Sequence, residues 1–83
     1  MKNEIVKNSD LGVSACWLAK GGILERLEPI DHRRVAFVFQ LEDWMKADEQ
    51  RFWNDTLLIN AKAYFSAIKE LKLRLHASSG TTL

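Results

Sequence analysis

Cys16, His32 and His76 are the residues of this 83-residue chain whose types best suit nucleophilic, general-base or metal chemistry. A thiol becomes a strong nucleophile when an imidazole takes its proton. Cys16, however, lies between Ala15 and Trp17 in an apolar run, where a single cysteine is expected to act as a small buried hydrophobe. A metal centre needs three or four ligands gathered at short spacing, and one Cys with two distant His supplies none. Gly21-Gly22 follows a helix-like stretch and precedes a strand-like one, the reverse of the strand-loop-helix order that cradles phosphate. No catalytic residue, metal site, cofactor or small-molecule substrate is expected.

Charge and rings offer other chemistry. In His32-Arg33-Arg34-Val35-Ala36-Phe37-Val38-Phe39-Gln40 two arginines run into alternating aromatics, the types that bind phosphate and stack on bases. Against the RNA-recognition pattern Arg33, Ala36, Phe37 and Val38 fit, whereas Arg34 replaces a glycine, and Val35 and Gln40 replace aromatics. Alternation puts Val35, Phe37 and Phe39 on one strand face, and amphipathic helices need that face as their core. Packing, not stacking, is the expectation for Phe37 and Phe39. Arg33 and Arg34, with Lys62 and Lys69, form a candidate nucleic-acid-binding patch if folding gathers them. Twelve Lys and Arg against eleven acids give a net charge of +1, with a sequence pI of about 7.9, so any such patch is local.

Trp17, Trp53 and Leu73 fall off the apolar stripes of their helices and are the candidate protein-interface residues. Asp48 falls on a stripe. It is either buried against an arginine such as Arg34 or Arg51, or placed where the stripe meets solvent, the commoner arrangement.

The elements that must position these groups follow from periodicity. Asn8-Ser9-Asp10 opens a helix that puts Leu11, Ala15 and Leu18 on one face, and Gly21-Gly22 ends it. Residues 23–28 and 34–40 read as an antiparallel hairpin, with Asp31 bonding local backbone in the turn. Residues 41–53 form a second helix carrying Leu41, Trp44, Met45 and Phe52. Residues 56–59 are an extended segment able to pair as a third strand. Asn60 caps a last helix, residues 61–76, whose stripe is Ala61, Tyr64, Phe65, Ile68, Leu71 and Leu75. Lys62, Lys69 and His76 lie together off that stripe, with Leu73 between them. The expected fold class is α+β, in the order α-β-β-α-(β)-α, with a hairpin of two or three strands packed against three helices. Residues 1–8 are expected as a flexible leader, 9–77 as one domain and 78–83 as a flexible tail.

Asp10-Leu11 at a helix start, Arg34-Val35 with Phe37 and Phe39, Phe52-Trp53-Asn54 at a helix end and Tyr64-Phe65 with Leu71-Lys72 resemble a family of small bacterial and phage proteins known only as a domain of unknown function. The resemblance implies the order helix, hairpin, helix, extended segment, helix. It implies no activity, cofactor or catalytic residue. Where relatives tend to have a glycine-containing turn, this chain has Ile30-Asp31-His32-Arg33.

A lone cysteine and the lack of any apolar run of roughly 18 residues suit a soluble, cytoplasmic protein with no membrane partner. The expected function is a non-catalytic interaction module binding a protein, itself included as a homodimer. The alternative is a nucleic-acid-binding accessory or regulatory module.

Overall fold

The computed structural model describes residues 4–78. Its elements are β1 (Ile5–Asn8), α1 (Leu11–Ala19), β2 (Leu24–Pro29), β3 (Val35–Gln40), α2 (Asp43–Trp53) and α3 (Ala61–Ser78). The chain is a small α+β domain: three helices accompany an antiparallel sheet of order β1-β3-β2. Among the described residues no helix is long and apolar enough to cross a membrane.

The hairpin expected from the sequence is β2 and β3. The third strand is not at residues 56–59 but at Ile5–Asn8, within the stretch 1–8 expected as a flexible leader, of which residues 1–3 lie outside the described residues. There Val6 stands opposite Phe39 and Asn8 opposite Phe37. Four residues are too few to display a period, and only the ladder to β3 gives Ile5-Val6-Lys7 a conformation. Residues 56–59 have no strand partner. Leu57 and Ile59 turn inward while Leu58 points out, 90% exposed. Of the expected tail, Ser78 ends α3 and residues 79–83 lie outside the described residues.

The two faces of β3 are buried by different means. Phe37 and Phe39 join Val13, Ala15, Trp17, Met45, Ala67 and Leu71 in one core cluster, with Trp17 edge-on to Phe39 at 5.4 Å between ring centroids. Ala36 and Val38 point the other way yet are also buried. Lys7 and Arg26 flank Val38 in register, and Glu28 flanks Ala36. The Lys7 ammonium meets Glu28 Oε1 at 2.9 Å and Arg26 meets Glu28 Oε2 at 2.8 Å. An ion-paired strap thus runs from β1 to β2 over the central strand, its aliphatic stems covering apolar surface while the charges stay wet.

Asp10 starts α1 by accepting from the Val13 N–H at 2.9 Å, and Gly21 ends it with φ 98°, a conformation that suits only glycine well. Between these caps Val13 to Trp17 are all buried, because α1 lies between the sheet and α3. A helix apolar all round is a core helix. This overturns the one-faced reading of α1, and with it the interface role of Trp17: the indole is fully buried and donates to the Met45 carbonyl at 3.0 Å.

Asn60 caps α3 by accepting from the Ala63 N–H at 2.8 Å, as its position suggests. The buried stripe is rotated from the expected one. Ala67 and Leu71 are its centre, with Tyr64, Ile68 and Leu75 beside them, and Phe65 faces out at 61% exposure. Ala15 of α1 and Ala67 of α3, both small, belong to the same buried cluster, where there is no room for a ring.

Candidate functional site

The hairpin turn is built by Asp31. Its Oδ1 accepts from the backbone N–H groups of Arg33 and Arg34, each at 2.8 Å, and the Ile30 N–H closes the turn on the Arg34 carbonyl at 2.8 Å. These two N–H bonds, with the Arg34 guanidinium at 3.7 Å, hold the Asp31 carboxyl below the usual range. Asp31 therefore holds the turn by bonding the backbone. Arg33 and Arg34 are both exposed as a result.

The stacking platform is absent from this end. Phe37 and Phe39 are buried in the core, with no face for a base. Nor do the four candidate basic residues form one patch. The part of α3 that meets Arg33 and Arg34 across a cavity is Leu75. Lys62 lies thirteen positions earlier, roughly 20 Å along the helix axis.

Lys62 and Lys69 instead belong to a different surface. At 100° per residue, Lys62, Phe65, Lys69, Leu73 and His76 fall within about 80° of one another on α3. Phe65 and Leu73 are exposed at 61% and 70%. The Lys69 ammonium sits 5.2 Å from the Phe65 ring centroid, a cation-π contact. A shallow hollow of about 370 Å³ lies among Lys69, Lys72, Leu73 and His76. The exposure of Leu73 was legible in the sequence. That of Phe65 was not, since helical spacing alone admits it to the apolar stripe, and the buried stripe centred on Ala67 and Leu71 leaves it outside.

Trp53 is 59% exposed at the end of α2, with its ring edge-on to Phe52 at 4.9 Å. Asp48 is buried at 2% exposure and paired twice, with Lys20 at 2.5 Å and Arg51 at 2.8 Å. The arginine partner is Arg51, not Arg34, and the commoner solvent-edge placement does not hold. Lys20, the other partner, comes from the end of α1, and no periodicity in the sequence links it to Asp48.

Cys16 is buried beside a cavity of about 290 Å³ that Phe52, Leu57, Ile59 and Tyr64 also line. Burial pushes its thiol pKa up, and the Asp48 carboxylate adds to the shift. Such a thiol holds little thiolate at neutral pH. Burial likewise raises the Tyr64 phenol. Among the described residues no three His, Cys, Asp or Glu side chains are grouped to hold a metal ion. In comparisons with family models, curated proteins and solved structures, the chain matches none.

Proposed function

We propose that the chain is a small non-catalytic interaction module that binds another protein through the outward face of α3. The observation that carries this reading is the pairing of exposed Phe65 and Leu73 with Lys62, Lys69 and Lys72 around them. Large apolar side chains two turns apart are anchors for a partner, and the cations beside them select an acidic one. The one acid of α3, Glu70, is paired with Arg74 at 3.2 Å. A second copy is a poor occupant, because an isologous contact would set lysines against lysines. The partner is therefore a different protein presenting an acidic amphipathic segment.

The test is a titration of the full chain with a synthetic amphipathic peptide carrying a leucine stripe flanked by glutamates, read by amide chemical shifts. Saturable shifts confined to α3, weakened at least about tenfold by Phe65→Ser/Leu73→Ser, support the reading; tenfold corresponds to about 1.4 kcal/mol. Light scattering of the free chain should give a monomer. A dimer broken by the same two substitutions would replace the acidic partner with a second copy. Retention on single-stranded nucleic acid that falls steeply with salt and depends on Lys62 and Lys69 would favour the nucleic-acid module instead.

A further inference from the structure

The hairpin end holds a second surface, separate from the outward face of α3. Two cavities, of about 510 and 220 Å³, share Arg33, Arg34, Val35 and Leu75 as walls. They form one groove where the last turns of α3 overhang the inner face of the sheet. Leu27 and Pro29 extend its floor on one side, and the other side reaches Ser9 ahead of α1. The floor is aliphatic, and the rim carries the two guanidinium groups.

We propose that this groove takes an acidic segment of a partner protein, with one carboxylate held by Arg33 and Arg34 and an adjacent aliphatic side chain on the Leu27, Pro29, Val35 and Leu75 floor. Charge decides the class of occupant. Arg33 makes no ion pair among the described residues, whereas Arg34 shares its charge with Asp31 at 3.7 Å. The rim therefore has about one positive charge to spare, which suits a single carboxylate in the fork of an arginine. A run of phosphates would meet the Asp31 carboxylate, and the rings along the groove are only the small His32 imidazole and Phe37, which is buried in the core. The form of the groove decides between a chain and a compact acid. Asp31, His32, Arg33 and Arg34 are all exposed, so the rim does not close over a small ligand. Two cavities in series suit a peptide passing through.

The groove shares none of its wall residues with the outward face of α3, so its test is independent of that surface. The probes are amidated peptides of the patterns Leu-x-Glu and Glu-x-Leu, their Gln counterparts, isovalerate and a single-stranded oligonucleotide. Each is titrated into the full chain while the Arg33 and Arg34 side-chain N–H and Leu75 methyl resonances are followed. The expected result is saturable binding of a Glu peptide that weakens at least about tenfold on Glu→Gln in the peptide or on Arg33→Ala/Arg34→Ala in the protein. Arg33→Lys should recover part of the loss, because it restores charge without the fork. Phe65→Ser/Leu73→Ser should leave this binding unchanged. The proposal is overturned if no Glu peptide binds, if Gln peptides bind equally, if isovalerate alone saturates the site, or if the oligonucleotide is preferred. The arginines are exposed, and an unchanged thermal melt of the variants separates lost binding from lost fold.

Discussion

The Trp17 indole N–H donates to the Met45 carbonyl at 3.0 Å, tying the last turn of the domain's most buried helix to the first turn of α2. The bond lies inside the core, so water cannot replace it. Trp17→Phe removes the donor and part of the ring volume, and should lower unfolding free energy by about 1–3 kcal/mol. Urea melts followed by far-ultraviolet circular dichroism measure this, since tryptophan fluorescence itself changes with the substitution. A loss below about 0.5 kcal/mol would show that the bond and the ring edge on Phe39 contribute little.

Asp48 and its two partners should respond unequally. Lys20 and Arg51 keep 37% and 56% of their side chains in solvent, whereas Asp48 keeps 2%. After Asp48→Asn the cations rehydrate, and the expected cost is about 1–2 kcal/mol. Lys20→Met/Arg51→Met leaves a buried carboxylate unpaired and should cost about 3 kcal/mol or more. Equal losses in denaturant melts would contradict the burial of Asp48.

The strap over the outer face of the sheet makes stability depend on acid. Bonds from Lys7, then Arg26, hold the Glu28 carboxyl below its ordinary pKa in the fold. Folding therefore favours the ionised form. Its contribution is complete above the unfolded-chain value of about 4.3 and is lost as pH falls through the lower folded value. The thermal melts of wild type and Glu28→Gln should differ at pH 7 and converge towards about pH 2. A gap independent of pH would mean that Glu28 acts by shape alone. Titration of its carboxyl carbon by NMR gives the same answer directly.

Cys16 should be nearly inert in the folded chain. Its thiol is buried and its pKa raised, so both access and thiolate fraction are low. Alkylation by iodoacetamide at neutral pH should be slow until denaturant unfolds the domain, then proceed at the rate of a free thiol. Rapid alkylation without denaturant would show that the cavity beside Tyr64 opens to solvent.

Local signals in the sequence were the readable ones. Asp10 and Asn60 caps, the Gly21 stop, the Asp31 turn and the placing of Phe37 and Phe39 in the core each act within a few residues and stand in the structure, whereas Val35, expected with them, lines the groove instead. What went unread depended on distant partners. β1 needs β3 to be a strand, and Trp17 looks off-stripe only until α1 is seen to be enclosed by the sheet and α3. Phe65 is turned out because Ala67 and Leu71 are the residues of α3 that the core buries. The candidate site divides in the same way. Exposure of Arg33 and Arg34 follows from the turn, but Leu75 as the opposite wall of their groove is a tertiary fact.

The pairing of β1 also bears on the order in which the domain is assembled. Ile5 is matched with Gln40, and the Leu41 N–H bonds the Glu4 carbonyl at 2.8 Å, so the first strand synthesised waits for α1, β2 and β3 before it has a partner. The hairpin closes a short turn, whereas β1 closes a loop that contains the hairpin's first strand and a helix, at greater entropic cost. Until it docks, Val38 has its charged cover on one side only. Glu4 therefore leads into an edge strand of the sheet, beside the last seam to seal.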